Sequence, residues 1–145
     1  MKKYELPAFL VGKVTEGEYK HWLDAKASAH FRRDKKRRNI ATTRKEYKEA
    51  IHQAVKESRG KDAYTDEELD WTLISKYDNK ESKKQGRQYR IKFAPLPTID
   101  HNDRGKGVYE FKICSWRTND AKNDLSYNDF LELCKRIIAV ANSRL

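Results

Sequence analysis

The sequence has few cysteines and no long apolar run, and both shortages exclude classes of protein. Only Cys114 and Cys134 are present, and they form no C-x-x-C pair. Neither a disulfide scaffold nor a cysteine-based zinc site is therefore indicated, and we expect a reducing, cytoplasmic setting. The start of the chain is basic and then briefly apolar, but Glu5 and Pro7 interrupt the apolar part. It is too short for a signal peptide or a membrane span, so we expect a soluble protein with no membrane partner.

Apolar residues are scarce and charged residues abundant. Each group makes up 37% of the chain, which favours a small core under a highly charged surface. The 3 Trp, 8 Tyr and 5 Phe residues nevertheless need a buried place, which excludes disorder throughout. Because 145 residues suit one domain, and the chain shows neither repeats nor a low-complexity linker, we predict a single domain over residues 1–145.

The net charge of +10 is concentrated in the first part of the chain. Residues 1–60 carry 16 Lys/Arg against 8 Asp/Glu, whereas residues 61–145 carry 16 against 14. The excess is greatest in HFRRDKKRRN, where Asp34 is the only acid among Arg32, Arg33, Lys35, Lys36, Arg37 and Arg38. Such a cluster indicates a polyanionic partner, although a solvated helix end is the alternative. We predict that residues 1–60 form a basic helical part that binds the nucleic-acid backbone without reading bases.

Helix starts are indicated where Ser or Thr precedes an acid by three residues, ahead of an apolar run. The four pairs are Thr15 with Glu18, Thr43 with Glu46, Thr65 with Glu68, and Ser126 with Asp129. The first predicts a helix that continues into the basic cluster, and the second a helix that ends near Gly60. The third predicts only a helical turn or short helix.

The fourth pair predicts a last helix whose apolar stripe, from Tyr127 to Ala141, should pack on the core. Another helical segment is predicted from about residue 80 despite Gly86, and Pro95 and Pro97 should end it.

One strand signal stands out in VYEFKICSW, where Tyr109, Phe111 and Ile113 alternate with polar residues. A loop with two glycines precedes it, and Pro97 to His101 can extend as the partner strand of a hairpin. Downstream, Asn119 and Asn123 lie four residues apart and share a face if that segment is helical. The predicted fold class is therefore α+β, mainly helical, with one hairpin and helix near the C-terminal end.

Asp100 and His101 stand side by side in the predicted hairpin, where Asn119 can join them. A carboxylate and a carboxamide offer the oxygen ligands that a hard cation such as Mg²⁺ prefers. A histidine with an ordinary pKa of about 6.5 is partly neutral at pH 7 and can take a proton from water. Together these groups suit phosphodiester hydrolysis. The alternative is a surface turn in which Asp100 only caps the backbone.

The order D-H, then a loop and a strand, then N-x-x-K at the beginning of a helix, resembles the HNH nucleases of the His-Me finger group. The resemblance covers residues 97–130 and implies a ββα-metal unit that cuts DNA and leaves a 5′-phosphate. It makes Asp100 a metal ligand, His101 the general base and Asn119 the ligand on the helix, with Asn123 as the alternative ligand. Mg²⁺ is the implied metal, with Mn²⁺ as the second candidate.

The sequence departs from this family at two points. The middle residue of the motif, commonly an Asn that braces the metal loop, falls on Glu110, which the resemblance makes the candidate for this supporting role. The zinc-binding cysteine pairs of many relatives are also missing. No structural zinc is therefore expected, and the last helix should hold the hairpin by packing on it. Lys122, from N-x-x-K, is a candidate for phosphate contact, with a solvated helix position as the alternative.

The sequence thus predicts a metal-dependent endonuclease that hydrolyses DNA, with the basic cluster holding the duplex. A non-catalytic protein that binds nucleic acid is the alternative, and a nuclease acting chiefly on RNA is a third hypothesis. A monomer would nick one strand and a homodimer could cut both, and the sequence leaves this choice open.

Overall fold

Six α-helices and one two-stranded sheet make up the regular structure in the computed structural model, which describes residues 3–38, 42–103 and 109–145. The helices are α1 (Glu16–Arg38), α2 (Arg44–Ser58), α3 (Asn79–Gln85), α4 (Arg87–Lys92), α5 (Trp116–Lys122) and α6 (Tyr127–Ser143). The strands are β1 (Pro97–Asp103) and β2 (Tyr109–Ser115), and short 3-10 turns lie at Ala8–Leu10 and Trp71–Leu73. The prediction of a mainly helical α+β domain is confirmed.

The first two helices begin at the predicted caps. The Thr15 hydroxyl caps α1 by accepting the backbone N–H of Glu18 at 3.0 Å, and it donates to that residue's carboxylate. Thr43 caps α2 by accepting the backbone N–H of Glu46. The helix ends at Arg59, whose φ of 54° lies in the left-handed region, and Gly60 continues the turn with a φ of 87°.

The helical turn predicted after Thr65 forms at Trp71–Leu73, but it does not begin at the predicted cap. The Asp62 carboxylate accepts the backbone N–H groups of Tyr64 and Thr65, so the chain forms an Asx turn there. A single backbone bridge then joins Lys61 to Glu68. The 3-10 turn begins only at Trp71, where Asp70 provides the cap.

Helix continues on both sides of Gly86, as the sequence predicts. Asp78 caps α3, and Gly86 with its φ of 58° separates α3 from α4. Tyr89 and Phe93 from this segment stack 4.2 Å apart and form a small second core with Leu73.

The predicted hairpin is present. Strand β1 pairs antiparallel with β2 so that Asp100 lies opposite Lys112 and His101 lies opposite Phe111. The glycine loop that the sequence places between the strands lies outside the described residues. The main core forms where α1, α2 and the hairpin meet, and it includes Tyr19, Leu23, Ile51, Val55 and Ile113, all nearly inaccessible to solvent.

The last helix forms as predicted, but the prediction that it packs on the core is wrong. Ser126 caps α6, yet none of the seventeen residues of this helix, all of them described, is buried. The reason is that other elements already cover the hairpin. Phe111 packs against Tyr47 of α2 and His30 of α1, and Ile99 and Ile113 join the same core. In the described ranges no helix has the length and apolar character that crossing a membrane requires.

Candidate functional site

A cavity of about 620 Å³ lies between α1, the edge of β1 and the end of α5. Its lining comes from α1 (His30, Arg33, Asp34, Arg37), from β1 (Ile99, Asp100, His101) and from the region of α5 (Asn119, Asn123, Asp124). Neighbouring strand residues point to opposite faces, so a cavity that touches three consecutive residues of β1 must open along the strand edge. The structure therefore brings Asp100, His101, Asn119 and Asn123 to one cavity.

His101 is held by a carboxylate from α1. Its Nδ1 lies 3.1 Å from Oδ2 of Asp34, and the Tyr47 hydroxyl donates to the same oxygen at 2.6 Å. The imidazole also stacks on its cross-strand neighbour Phe111, with ring centroids 4.8 Å apart. An Asp34 carboxylate in this position fixes the imidazole's orientation and favours the proton on Nδ1, which makes Nε2 the basic nitrogen.

His30 forms the adjoining wall of the cavity. Its ring stands perpendicular to that of His101, with centroids 5.8 Å apart. Burial, together with the neighbouring positive charge of Arg33, lowers the pKa of His30 to about 3, so this side chain is neutral near pH 7. Burial and Arg33 lower the pKa of Lys26 in the same way, one helical turn before His30.

Asp100 makes a different set of contacts from its neighbour His101. The Tyr64 hydroxyl donates to its Oδ2, and the Lys122 ammonium lies 3.3 Å from the same atom. Asp100 and Lys122 are both buried, with 6% and 3% of their surfaces exposed. This is a desolvated ion pair whose two charges depend on each other.

Helix α5 brings the carboxamides to the cavity. Ser115 caps the helix by accepting the backbone N–H of Thr118 at 3.0 Å, and the Asp62 carboxylate in turn accepts the N–H of Ser115. Burial favours the neutral acid, but the hydrogen bonds from Ser115 and Tyr64 outweigh it and lower the pKa of Asp62. Asn119 lies within α5, whereas Asn123 follows its last residue with a left-handed φ of 51°.

The donor set suits a hard divalent cation with mostly open coordination. Asp100 supplies a carboxylate, Asn119 and Asn123 supply amide oxygens, and Asp124 lines the same cavity. Both described contacts of Asp100 engage Oδ2, which leaves Oδ1 as its oxygen for a ligand. In the described ranges, no three His, Cys, Asp or Glu side chains group closely enough to hold a metal. A cation here would therefore depend on one or two carboxylates, amides and water.

The side chains of the predicted basic cluster lie on different faces of α1. Arg33 and Arg37 line the cavity, four residues apart and on the same helix face as His30 and Asp34. Arg32 and Lys36 are exposed on other faces, and the Lys35 ammonium lies over the Phe31 ring. The side chain of Arg38 lies outside the described residues.

Glu110 does not belong to this cavity. It lines a separate one of about 300 Å³ together with Asp62 and Lys112, and its carboxylate lies 3.2 Å from the Lys112 ammonium. The prediction that Glu110 supports the metal loop is untested, because that loop lies outside the described residues.

Sequence reasoning missed Asp34, Tyr47, Tyr64, His30 and Asp124. One signal for two of them was present, since His30, Arg33, Asp34 and Arg37 follow an i, i+3, i+4, i+7 spacing. A lone acid in a basic run, on the same face as a histidine, is a candidate partner for a buried charge. Tyr47 and Tyr64 carry no such signal, because only the tertiary fold brings their hydroxyls to Asp34 and Asp100.

Comparison with models of protein families, with curated proteins and with solved structures found no significant match for this chain.

Proposed function

We propose that the protein is a metal-dependent endonuclease that hydrolyses phosphodiester bonds in DNA, with His101 as general base. The observation that carries this proposal is the shared cavity. A histidine held by a carboxylate, an aspartate with two carboxamides, and two arginines of the basic helix line the same space. These are the three kinds of group that phosphodiester hydrolysis needs: a base, oxygen ligands and cations for phosphate.

In this mechanism the His101 imidazole takes a proton from the attacking water at Nε2. The carboxylate of Asp34 then faces the protonated ring across 3.1 Å and stabilises its charge. Tyr47 donates to Asp34 and keeps that carboxylate in place. Asp34 and Tyr47 are therefore positioning residues, and Asp34→Asn should lower kcat much more than it changes KM.

The arginines of α1 bind the substrate. Arg33 and Arg37 line the cavity from α1, where their positive charges suit a phosphate. They orient the backbone without sequence preference. Arg32, Lys35 and Lys36 point elsewhere around the helix and would contact flanking phosphates.

Asp100, Asn119 and Asn123 would hold the divalent cation, Mg²⁺ or Mn²⁺. When bound, the cation supplies Lewis-acid stabilisation of the charge that gathers on the phosphate oxygens. Lys122 limits its affinity, because the ammonium already neutralises Asp100 across 3.3 Å. Lys122→Met should therefore tighten Mg²⁺ binding measured by calorimetry, whereas a purely structural pair predicts no binding in either protein.

The experiment that tests the function is Mg²⁺-dependent nicking of a supercoiled plasmid, followed on a gel. We expect the parent protein to nick, and His101→Ala to lower the rate at least about 100-fold because the general base is lost. Asn119→Ala should also lower the rate and raise the Mg²⁺ concentration needed. Linear RNA offered in parallel distinguishes a nuclease acting chiefly on RNA.

Two matched variants control this assay. His21→Ala removes an exposed histidine from α1, and Asn128→Ala removes an exposed asparagine from α6. Both should nick at the parent rate. Equal activity of His101→Ala and His21→Ala, with both folded by circular dichroism, would show that His101 is not the base.

A non-catalytic protein that binds nucleic acid is the second candidate. It is favoured by the buried ion pair between Lys122 and Asp100, which satisfies the carboxylate without a metal, and by the burial of His101 Nε2. In that case the parent protein binds duplex DNA in a salt-sensitive manner and nicks no plasmid at any Mg²⁺ or Mn²⁺ concentration.

A further inference from the structure

Helix α6 presents an apolar face that the rest of the chain does not cover. Six of its apolar side chains are between 37% and 60% exposed: Tyr127, Leu131, Leu133, Ile137, Ile138 and Val140. Soluble monomers rarely expose one contiguous apolar patch of this size. The helix is also regular and capped by Ser126, so the face is a property of a formed element.

No residue of α6 is buried against the rest of the described chain. The hairpin packs on α1 and α2 through Phe111, and Tyr64 stacks on Tyr127, the first residue of α6. The apolar face of the helix therefore remains accessible to another surface.

The spacing along α6 suits a second helix. Leu131, Cys134, Ile138 and Ala141 follow one another at intervals of three, four and three residues, which is the seam of a two-helix coiled coil. Ile137 and Val140 widen the seam on one side. Large and small residues alternate along it, so an antiparallel partner with the same sequence can place Leu131 opposite Ala141.

We propose that two copies of this chain associate through α6, packed antiparallel about a two-fold axis. Covering six half-exposed apolar side chains on each copy removes several hundred Å² from water, which approaches the roughly 800 Å² per partner of a stable interface. The interface is isologous, because each copy contributes the same helix face. This inference does not depend on the proposed nuclease function.

Sedimentation velocity at protein concentrations in the tens of micromolar tests the association. The parent should sediment with twice the mass of one chain. Ile138→Glu should raise the dissociation constant on the order of 100-fold, because the interface would bury an unpaired carboxylate. Ile138 is 59% exposed in the single chain. The helical content of the Ile138→Glu protein should therefore equal that of the parent.

Ser143→Glu is the matched control, because it adds the same charge on the exposed polar face of α6. It should associate as the parent does. A parent that sediments as a single chain overturns the proposal, and so does an Ile138→Glu protein that associates normally. If Ile138→Glu instead lowers the melting temperature of a single-chain parent, α6 packs on its own body and the proposal is equally overturned.

Discussion

Helices α1 and α6 begin in the same way and end in opposite environments. Each has a hydroxyl cap and an acid three residues later, yet α1 buries Tyr19, Leu23 and Ala27 completely whereas α6 buries nothing. The apolar and polar positions are separated more cleanly on α6 than on α1. The comparison teaches that an amphipathic pattern identifies the face that needs cover, whereas the arrangement of the other elements determines what covers it.

The largest effect that separates the two helices is the cost of removing a leucine. Leu23→Ala in α1 should lower the free energy of unfolding by about 2–5 kcal/mol, because it leaves a cavity in the main core. Leu133→Ala in α6, where the side chain is 44% exposed, should change it by about 0.5 kcal/mol or less. Urea unfolding measures both.

This measurement belongs at protein concentrations low enough to keep the chains apart, because association through α6 adds to apparent stability. Repeating it at high concentration sharpens the comparison, since the parent and Leu23→Ala should then gain stability from association, whereas Leu133→Ala should gain less. Equal losses for the two variants in dilute protein would mean that α6 packs on the core after all.

The next effect is a pH dependence that α1 has and α6 lacks. His30 is buried in α1 and its pKa is lowered to about 3, whereas α6 carries no buried ionisable group. The unfolded chain takes up a proton below about pH 6.5, and the folded chain does so only near pH 3. The contribution of His30 to the free energy of unfolding is therefore complete above about pH 6.5 and is lost as the pH falls.

Between pH 7 and pH 5 the loss from His30 should be about 2 kcal/mol. His30→Gln keeps a neutral polar side chain that does not titrate, so its unfolding free energy should fall less over the same range. The difference between the two proteins isolates His30 from other acid-sensitive groups such as His52. A parent and a variant with the same pH dependence would show that water reaches the His30 imidazole in the folded state.

The secondary structure was largely predictable from local signals. The capping hydroxyls of Thr15, Thr43 and Ser126 begin helices because each satisfies a backbone N–H within its own first turn. The alternation in β2 is equally local. The segment after Thr65 shows the limit of this reasoning. A helix there would need the backbone N–H groups of Leu69 and Asp70, but these bond to the carbonyls of Gly60 and Pro95 instead.

The candidate site was predictable in part, for the same reason. The short motif around Asp100 and His101 fixed which residues share the hairpin, and the spacing to Asn119 placed the next helix. Asp34 and Tyr47 reach His101 from α1 and α2 over sequence separations that no local pattern encodes. The position of α6 was mispredicted because its own sequence carries no information about how α1 and α2 pack on the hairpin.

The smallest effect compares two pairs of cations, one on each helix. Arg33 and Arg37 line the cavity on α1, and Lys135 and Arg136 are exposed on α6. Replacing either pair with alanine removes two positive charges, so net charge alone predicts equal losses of DNA affinity. If the cavity binds the backbone, the Arg33→Ala, Arg37→Ala protein should reduce the salt slope of log Kd by about 2, since each contacting cation contributes about 1. The Lys135→Ala, Arg136→Ala protein should change this slope by much less.

Fluorescence anisotropy of a labelled duplex over a range of salt concentrations measures both slopes. Identical slopes would mean that DNA responds to the total charge of the protein and that the α1 face of the cavity is not its binding surface.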